Sequence, residues 1–280
     1  MKRRTWRNAL LPLVGPSVRR RGAPLAAITA VACLLTATAA RGQSRPFVFT
    51  ITTAPPSPTH RWSLEYDAGY AERTDDPFGF DGVEQRLAAQ GALGAGFTLL
   101  AQVGVGLGGE GAETMGQIEV LKDLLGADRD VNLSIGMGAR HEWEGATDLL
   151  GRIVVGHTFA RSSLFGNVNL EKSFAADRDD IDIITTLGYL HRLTASIHGG
   201  VELVAEDLEG LWEANEAEGG AKVFVGPTIH VAPPRSRFYF SLSGGPILYA
   251  THSSGTSEAP RPLGAQSNGY TIRLTLGYGL

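Results

Sequence analysis

From about residue 60 to its end, the chain alternates hydrophobic and polar positions with a period of two. In "HRWSLEYDAGY", Trp62, Leu64, Tyr66, Ala68 and Tyr70 share one face, and Ser63, Glu65, Asp67 and Gly69 share the other. "FTLLAQVGVGL" repeats the pattern with Phe97, Leu99, Ala101, Val103, Val105 and Leu107, and "VNLSIGMGAR" with Val131, Leu133, Ile135, Met137 and Ala139. Successive strand side chains point to opposite faces, so each segment reads as a strand with one apolar and one polar face. A helical period is sustained nowhere. The pattern predicts about twelve strands, at 60–71, 83–93, 97–107, 115–124, 131–140, 148–159, 164–172, 181–190, 194–205, 220–231, 237–249 and 269–280. Most run about ten residues, as a tilted strand needs to cross a bilayer, whereas strands of soluble proteins are usually about five or six. The fold class expected is therefore all-β: a transmembrane antiparallel up-and-down β-barrel over residues 59–280.

The connections read as alternating long and short along the chain. "ERTDDPFGFDG", "GGEGAET", "HEWEGA", "KSFAADRDD", "EDLEGLWEANEAEGG" and 251–268 form the long series. "GAG" at 94–96, "LGADRD", "RSS", "HRL" and "APPRSR" form the short one. Short inner turns and long outer loops are the habit of bacterial membrane barrels, as is an even strand number. Charge divides the same way: 206–220 holds six acids and no base, while the short turns carry Arg129, Arg161, Arg192, Arg235 and Arg237. Aromatic residues fall where interfacial girdles are expected, with Trp62, Phe97, Phe159, Phe238 and Tyr278 near short turns and Tyr70, Tyr189 and Tyr270 near long connections.

Residues 1–40 read as a cleaved signal peptide. Lys2, Arg3, Arg4, Arg7 and Arg19–Arg21 precede the apolar "APLAAITAVACLLTATAA", with cleavage expected after Ala39 or Ala40. Removing them leaves 18 basic and 29 acidic residues, a charge of −11, and no cysteine. An exported chain without disulfides must bury a sizeable core or close a barrel. The acidity excludes nucleic acid as a partner. Residues 41–58, with Pro55, Pro56 and Pro58, read as a Pro-rich periplasmic linker or a small plug.

The chain ends on "YTIRLTLGYGL", with Tyr270, Ile272, Leu274, Leu276, Tyr278 and Leu280 on one face. This resembles the C-terminal signal strand of bacterial outer-membrane proteins, although Leu280 stands where Phe or Trp is usual. The resemblance covers 60–280. It implies recognition of that strand by the barrel-assembly machinery, closure against the first strand, and a surround of outer-membrane lipid and lipopolysaccharide. A narrower likeness follows from "PFVFTITTAPPSPTHRWSLEYDAGY" and "GVEQRLAAQGALGAGFTLLAQVGVG". These resemble outer-membrane transporters grouped with aromatic-degradation (phenol meta-pathway) proteins, and imply a channel for small, hydrophobic or amphipathic solutes.

With the apolar face toward lipid, the other face lines a lumen. It carries Glu65, Asp67, Arg86, Gln102, Glu119, Arg140, Arg152, Asn169, Glu171, His198, Glu202, Lys222, His230 and Arg273. Such charges either pair to satisfy a narrow interior or form a solute-selecting wall. Leu100, Leu121, Leu150, Ile184, Val204, Phe224 and Ile247 point inward as well, so the lumen is amphipathic.

No catalytic residue, cofactor or metal site is assigned. "GVGLGG" at 104–109 matches a dinucleotide fingerprint but lies on a strand that no amphipathic helix follows, so close packing explains its glycines. The histidines are scattered, without an H-x-x-x-H pair. A barrel hydrolase is the alternative, with Ser196 or Ser243 beside His198 or His230, or Asp75 and Asp76 beside His141. A structural or adhesive barrel acting through its acidic loops is another.

Overall fold

The computed structural model describes residues 62–72, 82–108, 111–125, 130–142, 147–174, 181–206, 221–249 and 268–280. The leader, residues 41–58, Asp75, Asp76 and most of the long connections lie outside the described residues. Twelve strands form one closed antiparallel barrel, each paired with its sequence neighbours, with the last strand closing on the first. They are β1 (Trp62–Glu72), β2 (Gly82–Gly94), β3 (Phe97–Gly108), β4 (Gly111–Asp123), β5 (Val131–Glu142) and β6 (Thr147–Thr158). The second half comprises β7 (Ser162–Ser173), β8 (Asp182–Arg192), β9 (Ile197–Glu206), β10 (Lys222–Val231), β11 (Phe238–Tyr249) and β12 (Gly269–Gly279). All twelve expected strands are present, and their ladders run antiparallel throughout.

The alternation becomes two surfaces. Val103 (53% exposed), Ile118, Ile135, Met137, Ile153, Leu187 and Ile272 project outward, while Glu65, Asp67, Glu119, Glu202 and Arg273 are at most 2% exposed inside. A continuous apolar exterior of this kind is stable in lipid and not in water, where so large a patch would drive association.

Two sequence expectations are corrected. The connection after β3 is not long: pairing continues to Gly108↔Gly111, because the alternating pattern and its small residues extend the hairpin through 111–114. Only 109–110 and 143–146 separate the second and third outer hairpins, so the short series is not shorter at every position. Tyr189 belongs to the other girdle. It lies near the end of β8, opposite Leu164 and Val201, and its hydroxyl is 3.0 Å from Ser162 Oγ beside the 193–196 turn.

Tight turns follow local chemistry. Gly94, Ala95 and Gly96 all have positive φ (101°, 50° and 76°), a path that two glycines make inexpensive. The Lys122 ammonium donates to the Ala95 carbonyl and lies 4.6 Å from the Phe97 ring centroid, which fixes the turn at the membrane rim.

The closing seam pairs Ser63↔Gly279 through Glu72↔Tyr270. Side chains reinforce it on both faces. Inside, Thr275 Oγ1 donates to Asp67, and Tyr239 Oη donates to Glu65 Oε1 at 2.6 Å. Outside, Tyr270 Oη donates to Glu72 at 2.9 Å. The Leu280 amide donates to the Trp62 carbonyl at 2.8 Å, so the chain end is tied to the first strand.

Candidate functional site: the lumen

The charged residues and histidines expected in the lumen share the parity of the buried Glu65, Glu119, Glu202 and Arg273, and many of them meet in ion pairs. Glu119 on β4 takes two hydrogen bonds from Arg152 on β6, at 2.8 and 2.7 Å. Arg140 on β5 reaches Asp148 on β6 and Glu171 on β7, each at 2.9 Å. Glu84 binds Arg86 at 2.9 Å and Arg273, across the seam, at 2.6 Å. Lys222 pairs with Glu206 at 3.0 Å. Glu202, wholly buried, accepts from Ser243 Oγ at 2.7 Å. The Gln102 amide donates to Gln117 and the Gln117 amide donates to Glu119, joining β3 to the Glu119–Arg152 pair.

Several of these contacts skip a strand, and glycines make that possible. Gly138 lies opposite Glu119 on β5, and a Cβ there would meet Glu119 Cγ at 2.5 Å. The Glu119 stem therefore crosses β5 where no side chain stands. Gly69 lies between Arg273 and Glu84 in the same way, its would-be Cβ 3.3 Å from Arg273 Cγ. Gly277 lies between Tyr239 and Glu65, with the Tyr239 ring 2.0 Å from where a Cβ would be. Ser243 reaches Glu202 across β10, where Gly226 stands opposite Glu202 and Thr228 opposite Ser243. Strand glycines permit such close approach, which explains much of the glycine content of the polar face.

The apolar inward residues gather elsewhere. Ile184, Val204, Phe224 and Ile247, on β8 to β11, pack as one buried cluster with Tyr249 against it. Each lies close to the long-connection end of its strand. Leu121, Val154 and Leu100 form a smaller cluster on the opposite wall. Between these walls is a cavity of about 100 Å³ lined by Glu65, Arg86, Gln102, Gln117, Glu119, Arg140, Arg152, Ile184 and Val204, among others. It has room for a few waters, not a wide aqueous path.

Sequence reading passed over Glu84, Asp148, Asp182, Glu206, Tyr239 and Ser241, although the same parity that marks Arg86 and Arg152 places all of them inside. The partners were not readable, because every pair except Glu84–Arg86 joins different strands. Among the described residues the proposed serine–histidine constellations do not assemble, and the Asp75 and Asp76 alternative lies outside them. Ser243 bonds Glu202, Ser196 sits in the 193–196 turn, and His141 Nδ1 lies 2.8 Å from Thr147 Oγ1. The serine–histidine contact that does form on the lumen wall joins His230 Nδ1 to Ser241 Oγ at 2.8 Å. Ser241 is 1% exposed, so no substrate carbonyl reaches it.

No known family model matches the sequence, and no curated protein matches it. Among solved structures the fold is similar to the KdgM porin, at 10% identity, covering 78% of this chain and 99% of that one with a TM-score of 0.54. It is likewise similar to the NanC porin in a rhombohedral crystal form, at 10% identity, covering 78% and 100% with a TM-score of 0.55. The CymD monoaromatic hydrocarbon channel is more distant in shape, at 8% identity, 78% and 88% coverage and a TM-score of 0.41. At these identities the likeness is one of fold: the chain has the twelve-stranded architecture seen in outer-membrane porins.

Proposed function

We propose that this chain is a narrow channel of a Gram-negative-type outer membrane that passes small solutes passively and prefers cationic, amphipathic ones. The observation that carries the reading is the charge inventory of the lumen. Among the described residues, the carboxyl groups of Glu65, Asp67, Glu84, Glu119, Asp148, Glu171, Asp182, Glu202 and Glu206 face six cations, Arg86, Arg140, Arg152, Arg192, Lys222 and Arg273. Carboxylates thus outnumber cations on the wall, and this net negative charge lies in a low-dielectric passage where fixed charge concentrates counter-ions. The apolar cluster of β8–β11 supplies the amphipathic half, a surface for the hydrocarbon part of a solute beside a wall for its charge. In this reading the outward apolar band meets outer-membrane lipid and lipopolysaccharide. The C-terminal strand, Tyr270 to Leu280, is the segment offered to the barrel-assembly machinery. The narrower transporter resemblance fits the amphipathic wall and names no solute.

Planar-bilayer recordings of the refolded chain under a KCl gradient test the proposal. Open events with a reversal potential favouring K⁺ over Cl⁻ are expected, with the preference reduced in Glu202→Gln. Chloride preference would overturn the cation reading, and absence of any conductance would overturn the channel itself.

A further inference from the structure

The lumen wall near the short-turn mouth carries two histidines that the sequence keeps 32 residues apart. His198 on β9 and His230 on β10 are direct cross-strand partners, and their ring centroids lie 6.0 Å apart at an interplanar angle of 52°. Two imidazoles sharing one tetrahedral ion have centroids about 5–6 Å apart, given metal–nitrogen bonds of about 2.0–2.1 Å. The pair therefore needs little more than a rotamer adjustment to hold a metal between its rings.

The surroundings orient it. His230 Nδ1 is engaged by Ser241 Oγ at 2.8 Å, which leaves Nε2 as the coordinating atom. Such a hydrogen bond on the far nitrogen is what normally fixes a ligating imidazole. The Tyr239 ring packs against His230 with centroids 5.8 Å apart, and the Tyr239 hydroxyl is committed to Glu65. His198 Nδ1 is shielded from solvent and has no hydrogen-bond partner, so no protein group competes for that ring's tautomer. One feature opposes a cation: Arg192 stands opposite His198 on β8, although its guanidinium donates to the Ala160 carbonyl at 3.2 Å, at the turn.

We propose that His198 and His230 form a binding site for a borderline divalent transition-metal ion such as Zn²⁺, held by two imidazoles and completed by lumen water. Neutral imidazole favours this class over Mg²⁺ or Ca²⁺, which take oxygen ligands. With only two protein ligands the ion exchanges freely. The site stands on the barrel wall whether or not solutes pass. Where the chain conducts, an ion there places positive charge in the cation path and reduces the current.

The test is calorimetric titration of the tag-free full chain, refolded in detergent, with Zn²⁺ and separately with Mg²⁺. One saturable Zn²⁺ site is expected, with no Mg²⁺ site. His198→Ala and His230→Ala should each weaken Zn²⁺ binding at least about tenfold, and Ser241→Ala, acting through ring orientation, by about tenfold. Arg192→Gln should tighten it. Zn²⁺ binding that ignores both histidine substitutions, or no Zn²⁺ binding at all, overturns the site. Should a variant not fold, carbethoxylation of the wild-type chain still decides. Zn²⁺ should protect His198 and His230 and leave the outward His157 and His191 unchanged, and equal labelling with and without the metal overturns the proposal. In bilayers, current blocked by Zn²⁺ in the wild type should persist in His198→Ala. A silent wild type would count against the channel and leave the titration as the test of the site.

Discussion

Two regions of the lumen wall, the crossed ion pairs and the apolar cluster, solve the same burial problem by different means. From β12 through β7, long charged side chains cross glycines to find partners one strand further on, as Arg273 does over Gly69 and Glu119 over Gly138. On β8 through β11, beside the Lys222–Glu206 pair and Glu202, Ile184, Val204, Phe224 and Ile247 pack by contact alone. The first wall depends on geometry, because a buried charge is tolerable only when its partner and hydrogen bonds are all in place. The second depends on volume, because apolar packing is non-directional. The difference teaches that the charged wall is where a single loss is most damaging, and that the apolar wall sets how wide the passage is.

The largest effect is expected from Glu119→Ala, which leaves Arg152 buried without its carboxylate. It should lower stability by about 3–5 kcal/mol, measured by urea-dependent folding into phospholipid vesicles, and Glu119→Leu with Arg152→Met should regain most of it. A double variant as damaged as the single one would mean that the pair does not act as a unit.

Phe224→Ala should cost about 3 kcal/mol by emptying the apolar wall, and should raise single-channel conductance, since the lumen widens there. Conductance unchanged by this truncation would move the constriction to the charged wall.

Val103→Arg places a charge on lipid near mid-strand and should cost about 2–4 kcal/mol. Gln102→Arg, one residue away and facing inward, should be much milder. Equal costs would mean that the two faces are not what their exposure indicates.

Gly277→Ala should cost about 1–3 kcal/mol, because the Tyr239 ring must leave its path to Glu65. Gly151→Ala is its control: a Cβ there meets only Leu170, at an ordinary 3.6 Å, and the change should be neutral or slightly stabilising. The smallest effect is Tyr270→Phe, which removes the exposed seam bond to Glu72 and should leave stability nearly unchanged in the same folding assay.

Period-two alternation, with the strand lengths and the series of connections, was enough to predict about twelve antiparallel strands and which parity of each faces in. Closure was implied by the resemblance of the last strand. A strand has only two faces, and a one-residue slip would have put Glu65, Asp67 and Arg273 into lipid. The same parity marked Phe224 and Ile247 as inward beside Lys222 and Arg273. What the pattern left open is who meets whom. Glu119 and Arg152 are 33 residues apart, Tyr239 and Glu65 are 174 apart, and no local signal joins them. Nor did alternation reveal that glycines 69, 138 and 277 are crossing points, since a glycine looks the same wherever it stands on the polar face. Connection lengths misled at 111–114 because small, glycine-rich residues read as loop until their partners across the hairpin are known. His198 and His230 were counted as scattered for the same reason. The long connection 207–221 leaves the registry between β9 and β10 open in the sequence, and only their ladder sets His198 opposite His230.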